Sequence, residues 1–219
     1  MVGHSSKRVN SVNPLYEGLL DLGEKRILCE KLFEPLGRTI FKLTDAAQPG
    51  GLDAYLAGQG YASIDRTMVM TLDLKGPFAP HPAIKVEESH RKGWVENYCR
   101  ISGKTDKELA LLTDTFDHII PDQVYLSLVM DNQVVGCAMG VVDQGYVGVY
   151  NVGVLPDYRR KGYGRALMNH LLHEAKAMGC DKSYLQVVAK NERAVPLYED
   201  LGYEKVYDYW YRVKDAEKK

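Results

Sequence analysis

Val152-Gly-Val-Leu-Pro-Asp-Tyr-Arg-Arg-Lys-Gly-Tyr-Gly-Arg165 runs from a β-branched stretch through a proline turn to paired glycines and four basic residues. From Gly164 onward, Leu167, Met168, Leu171, Leu172, Ala175 and Met178 recur at helical spacing, and Gly179 closes the segment. The order is therefore strand, turn, helix. The first turn of a helix has N–H groups with no partner inside the helix, and it is the positive end of the dipole, so backbone alone can hold an anion there. Gly162 and Gly164 let the chain approach such an anion closely because neither has a Cβ. Arg159, Arg160, Lys161 and Arg165 add positive charge. A solvated helix start explains the charges but not their union with the strand, the turn and the glycines. Two other phosphate-binding patterns fail on detail. A dinucleotide fingerprint needs a third glycine where Leu167 stands, and a P-loop needs Gly-Lys-Ser or Gly-Lys-Thr.

Working outward, Gln123–Met130, Gln133–Val142 and Tyr146–Leu155 read as strands separated by Asp131-Asn132 and Asp143-Gln144-Gly145, which are hairpin-turn residues, so an antiparallel meander is expected. Ser183–Ala189 reads as a strand, Glu192–Asp200 as a helix and Glu204–Val213 as a final strand. Upstream, Trp94–Ile101 and Asp106–Ile120 have helical patterns, the second stopped by Pro121, and a strand is expected over Ile84–Val86. Three prolines between Gly76 and Pro82 bar a helix or a central strand and mark a linker. Before it lie a helix over Gly18–Glu34, a strand over Arg38–Leu43, a short helix over Leu52–Ala57 and a strand over Thr67–Leu74. Tyr55-Leu-Ala-Gly-Gln-Gly-Tyr61 echoes Leu197-Tyr-Glu-Asp-Leu-Gly-Tyr203, each followed by a strand. Residues 14–74 accordingly read as a degenerate copy of residues 164–213. The expected organisation is a structural region over residues 1–82 and a catalytic domain over residues 83–219, in an α/β fold.

The 219 residues are 45% hydrophobic and 26% charged, which fits a globular chain rather than a disordered one. Lys and Arg total 28 against 29 Asp and Glu, so no broad positive field exists to attract nucleic acid or an anionic membrane. The longest apolar runs fall far short of the roughly 20 residues of a membrane span, and no signal-like segment opens the chain, so a cytoplasmic location is expected. Cys29, Cys99, Cys137 and Cys180 have neither Cys-x-x-Cys nor metal-ligand spacing and read as reduced thiols. His170, His173 and Glu174 share a helix face opposite the apolar stripe and read as a solvated face, so no metal is expected.

The chain resembles the GNAT superfamily of N-acetyltransferases. Arg159-x-x-Gly162-x-Gly164 is similar to that family's pyrophosphate motif, and Asn191 with Tyr198 and Leu201-Gly-Tyr203 is similar to its second signature. The resemblance covers residues 84–213. It implies a mixed, mostly antiparallel sheet flanked by helices, with acetyl-CoA or a related acyl-CoA as co-substrate. The backbone of Val152 and Val154 would meet the pantetheine amides. Residues 159–165, Arg159, Arg160, Lys161, Gly162, Tyr163, Gly164 and Arg165, would hold the pyrophosphate, and Asn191 would hydrogen-bond the pantetheine arm. The Tyr198 hydroxyl would protonate the leaving thiolate, and an N–H near Val154 would bind the oxyanion.

One position departs from that pattern. Many relatives place a Glu five residues before the Asn to deprotonate the amine, and here Gln186 stands there. A relay of water, Asp143, Glu87 or Glu88 is left to supply the base. In the N-terminal copy the position of Tyr198 is occupied by Leu56, so that copy should be structural, bind no second CoA, and wall one side of the acceptor site. The implied reaction is direct acyl transfer to a primary amine on a small molecule or peptide. The competing class is a non-catalytic acyl-CoA sensor. A homodimer is compatible with either.

Overall fold

The computed structural model describes residues 6–82 and 84–216. It divides into two compact units, one of Met70–Gln186 with Glu192–Glu204, the other of the residues up to Val69 with Val187–Asn191 and those from Lys205 onward. In chain order the elements are α1 (Leu22–Phe33), β1 (Arg38–Thr44), α2 (Leu52–Gly58), β2 (Ala62–Asp73), β3 (Val86–Glu88), α3 (Arg91–Ser102), α4 (Asp106–Asp117), β4 (Asp122–Met130), β5 (Gln133–Asp143), β6 (Tyr146–Val154), α5 (Tyr163–Ala177), β7 (Lys182–Val188), α6 (Ala194–Asp200) and β8 (Glu204–Asp215). Eight mostly antiparallel strands flanked by helices make the α/β fold that the sequence implies.

In the larger unit the strands run in the order β7-β6-β5-β4-β3. The β4–β5 hairpin closes through Asp131 and Asn132, both at positive φ (48° and 60°), and β5–β6 through Gln144 and Gly145 (47° and 78°). Two consecutive left-handed residues give a turn whose twist matches that of the strands, which is why these short polar pairs make tight hairpins. β6 and β7 are parallel, joined by α5. One face of this sheet carries α5, whose Leu167 and Leu171 close over Gly136 and Gly140 of β5. The other face carries α3 and α4, with Trp94, Val95, Cys99, Ile101 and Phe116 packed on Tyr125, Cys137 and Met139. The Trp94 indole N–H donates to the Leu126 carbonyl at 2.9 Å, so this large buried ring leaves no polar atom unsatisfied. α4 starts at a capping box in which Thr105 and Glu108 satisfy each other's backbone N–H groups.

In the smaller unit β8 pairs antiparallel with β1, from Arg38↔Asp215 to Thr44↔Tyr209. Phe41, Leu43, Leu52, Leu56 and Tyr61 form its core. Asp53 at the start of α2 accepts from Arg212 Nε and Nη2, both at 2.8 Å, and from Trp210 Nε1 at 2.7 Å, fastening α2 to β8.

Element ends differ from the sequence reading where a local bond decides them. α1 starts at Leu22 because the Asp21 carboxylate accepts from the Glu24 N–H. β2 starts at Ala62, directly after the Tyr61 N–H closes α2 on the Leu56 carbonyl. The short strand expected over Ile84–Val86 lies instead at Val86–Glu88, because the Ile84 N–H turns back to the His81 carbonyl. No helix among the described residues is long and apolar enough to cross a membrane.

Candidate functional site

The site grows from a fork in the sheet of the larger unit. β6 and β7 are in register from Tyr146↔Lys182 to Val149↔Leu185, and the pairing stops there although β6 continues to Val154. On its other side β6 stays paired with β5 as far as Gly136↔Val154, with a register shift between Cys137 and Met139. The extra residue of that bulge is Asn151, at φ 53°. Beyond it, the Leu155 N–H donates to the Val135 carbonyl at 2.8 Å. Alternation along an extended chain then turns the polar backbone groups of Val154 and Val152 the other way, into the gap that β7 has left. An extended amide-bearing chain can pair there as an added strand would. Both valines are half-buried.

The loop after β6 brings a helix start and four basic residues to the mouth of this fork. Pro156–Tyr158 form one 3-10 turn, and the Arg159 Nε–H donates back to the Val154 carbonyl at 2.9 Å. Arg160 (φ 62°) and Gly162 (φ 81°) then take left-handed conformations, and α5 begins at Tyr163 with no side-chain cap. The first hydrogen bond inside the helix runs from the Ala166 N–H to the Gly162 carbonyl. The N–H groups of Tyr163, Gly164 and Arg165 are thus the first-turn donors, aimed outward with the positive end of a 15-residue helix behind them. A Cβ on Gly162 would meet nothing within 4 Å, so its glycine serves conformation. Gly164 serves space: a Cβ there would come within 3.2 Å of Leu197 Cδ2 on α6. Arg159, Arg160, Lys161 and Arg165 are all exposed around the loop, with the Lys161 ammonium 5.5 Å from the Tyr158 ring centre. Arg165 is partly committed, since its Nη2 lies 3.0 Å from the Asp200 carboxylate.

Tyr198 projects from α6 and is buried, edge-on to Tyr203 with ring centres 5.9 Å apart. Burial raises its phenol above the usual range. Its hydroxyl has no hydrogen-bond partner among the described residues. The neighbouring Tyr203 differs, because its hydroxyl is tied to Ser183 Oγ at 2.6 Å. Of the two hydroxyls, only that of Tyr198 is without a partner among the described residues. Asn191 belongs to the other compact unit, where its N–H donates to the Val188 carbonyl and its side chain is exposed.

Among the carboxylates considered as base, Asp143 pairs with Tyr146 at the hairpin end of β6. That is eight residues from Val154, or about 26 Å at roughly 3.3 Å per residue, so Asp143 does not serve this end. Glu87 is bonded to Lys85 at 2.9 Å on the outer strand of the unit. Glu88 lies on the same strand, with a charge interaction to His170 of α5. Gln186 is the first β7 residue past the last β6 pair and is half-buried. His170 lies 3.5 Å from Glu174, while His173 Nδ1 is 2.9 Å from the Phe78 carbonyl. Among the described residues no group of three or more His, Cys, Asp or Glu is placed to hold a metal.

The sequence reading missed two tyrosines at the fork. Tyr150 and Tyr184 bring their hydroxyls to 2.8 Å, with rings at 89°. The signal lay in Gly148, which is paired with Tyr184 in the β6–β7 register and two residues before Tyr150.

Comparison with known proteins bears on the family. The family model described as Acetyltransferase (GNAT) family matches residues 86–203. The uncharacterised N-acetyltransferase YobR of Bacillus subtilis (strain 168) is 24% identical over 214 residues, which span 95% of this chain and 86% of that protein. The ribosomal protein bS18-alanine N-acetyltransferase of Escherichia coli (strain K12) is 46% identical over 55 residues, a quarter of this chain and 37% of that protein. Among solved structures, a GCN5-related N-acetyltransferase from Kribbella flavida superposes with a TM-score of 0.64 at 21% identity, covering 86% of this chain and 73% of that one.

Proposed function

Because the chain belongs to the GNAT family of acetyltransferases, and so is an acetyl-CoA-dependent N-acetyltransferase, we propose that it moves the acetyl group directly onto a primary amine in a ternary complex. The observation that carries this reading is the fork. β6 runs five residues past its last pair with β7 and leads straight to an uncapped helix start flanked by four basic side chains. The pantetheine arm would lie along Val152 and Val154, and the pyrophosphate would meet the N–H groups of Tyr163, Gly164 and Arg165. Arg159, Arg160 and Lys161 would screen its charge.

In the proposed reaction the amine lone pair attacks the thioester carbon, and the oxyanion is held by a backbone N–H at Val154. As the C–S bond breaks, the sulfur takes the Tyr198 proton, which solvent then replaces. The raised phenol of Tyr198 keeps that proton available throughout the neutral range. Direct transfer is favoured over an acyl-cysteine intermediate because burial pushes all four thiols up, Cys137 to about 12, leaving little thiolate.

The acceptor is proposed to be a small-molecule or peptide amine. The 55-residue match to an enzyme named a ribosomal protein bS18-alanine N-acetyltransferase recommends peptide amines as the first to try. We further propose residues 1–82 as a structural region that binds no second CoA. The deciding experiment follows thiol release from acetyl-CoA against a panel of alanine-initiated peptides, lysine peptides, polyamines and aminoglycosides. Amine-dependent release establishes acyl transfer. Tight acetyl-CoA binding with no release for any amine would leave a sensor as the correct reading.

A further inference from the structure

Resting on that reading of the site, we propose that the Tyr150–Tyr184 hydroxyl pair receives the attacking amine and relays its proton to solvent. Tyr150 is the first residue of β6 beyond its last pair with β7, and Tyr184 stands one residue before the last paired residue of β7, Leu185. The two side chains therefore sit at the apex of the fork, where a thioester carried along Val152 and Val154 would end.

They also share one face. Gly140, opposite Val149, lies under Leu171 of α5, so Gly148 and Tyr150, which alternate with Val149, point to the opposite face. Tyr150 packs there against the cluster of Trp94, Cys137 and Met139. Tyr198 belongs to α6, which touches α5 through Leu197 and Gly164 on the other face. A nucleophile seated by the two phenols would thus reach the thioester from one face of the sheet, leaving Tyr198 to protonate the sulfur from the other as the tetrahedral intermediate collapses.

The pair is built rather than incidental. A Cβ at position 148 would lie 2.7 Å from Tyr184 Cζ and its hydroxyl, and 2.8 Å from Tyr150 Cε2, so only glycine admits both rings. With Gln186 next along β7, the nearest side chain past the fork offers no ionisable acceptor, whereas a phenol can accept one proton while releasing its own. As the new C–N bond forms, the nitrogen gives a proton to one hydroxyl. That hydroxyl passes its own proton across the 2.8 Å bond to the other, which releases one to water. Both tyrosines end the cycle neutral. The thiolate is protonated separately by Tyr198, so the amine hydrogen lost to solvent balances the one Tyr198 recovers.

The test uses Tyr150→Phe, Tyr184→Phe and the double variant in the full chain, with the panel amine that gives wild type its fastest thiol release. Each single change should lower kcat/KM for that amine by about 10- to 100-fold, as expected for lost acid–base assistance. The double variant should fall little further, because the hydroxyls act as one unit. Acetyl-CoA affinity by calorimetry should stay within about twofold, and losses should shrink as pH rises and hydroxide takes the proton. Wild-type release that survives both substitutions overturns this proposal alone. A loss that tracks weakened acetyl-CoA binding assigns the rings to packing and overturns it too. If wild type releases no thiol with any amine, the acyl-transfer reading falls first, and this inference with it.

Discussion

Replacing Tyr198 with Phe separates chemistry from packing more cleanly than any other change in the site. The ring stays edge-on to Tyr203 and keeps its burial, and no protein partner among the described residues is orphaned when the hydroxyl goes. Stability should therefore shift by less than about 0.5 kcal/mol, since the large penalties in such substitutions come from buried groups left unpaired. Turnover should fall about 10²-fold, equivalent to about 2.7 kcal/mol of transition-state stabilisation. The assay is kcat by thiol release at saturating acetyl-CoA, with acetyl-CoA affinity by calorimetry and Tm by scanning fluorimetry on the same preparation. Because burial raises the phenol, wild-type kcat should show no loss from deprotonation of this group until the pH passes the usual phenol value of about 10. Turnover of Tyr198→Phe within about a factor of two of wild type, with affinity unchanged, would refute the assignment and leave the residue a packing tyrosine.

Gly164→Ala should change stability and acetyl-CoA affinity little, because a gain of up to about 1 kcal/mol in helix propensity offsets the small retreat asked of Leu197 at 3.2 Å; Gly164→Val should lower both, because its larger side chain must displace Leu197 beside the helix start, read by calorimetry and Tm. Asp53→Ala removes the acceptor shared by Arg212 and Trp210 and should cost about 1–2 kcal/mol in denaturant unfolding, with one acetyl-CoA still bound per chain. Two bound molecules would contradict the structural role given to residues 1–82. Burial raises the phenols of Tyr198, Tyr203 and Tyr211, so the stability they contribute is complete below about pH 10 and is lost as pH climbs through their folded values. Tm should accordingly be level from pH 7 to 9 and drop above 10, by less in Tyr211→Phe.

The order of elements was legible because their signals are local. Asp131-Asn132 announces a tight turn by composition, and the stripe from Leu167 to Ala175 announces a buried helix face. The anion loop was legible for the same reason, since a helix start depends only on neighbours in sequence. What the letters hid was the partner each residue would meet. Gly164 reads as room for a ligand, yet its missing Cβ faces Leu197, 33 positions later. Arg165 reads as a phosphate ligand, yet Asp200 already engages it. Tyr150 and Tyr184 are two of 15 tyrosines, and nothing marks them until the parallel register brings Gly148 between them. Asp143 stood among the possible bases until the hairpin register set it at the wrong end of β6.

These cases share a cause that bears on how such a site can vary. The proposed acetyl-CoA side is made chiefly of backbone: a bulge at Asn151, the stretch of β6 from Tyr150 to Val154 that runs on past its pairing with β7, and left-handed turns at Arg160 and Gly162. Backbone donors constrain few side chains, so a short pattern of glycines and basic residues suffices to specify them. The amine side must instead recognise and deprotonate a particular nucleophile, which only side chains can do. Its residues come from strands joined by a helix, and their meeting is fixed by register rather than by spacing. Substitutions on the fork's α3/α4 face should therefore change which amine is used while leaving acetyl-CoA affinity alone, and substitutions in residues 159–165 should do the reverse.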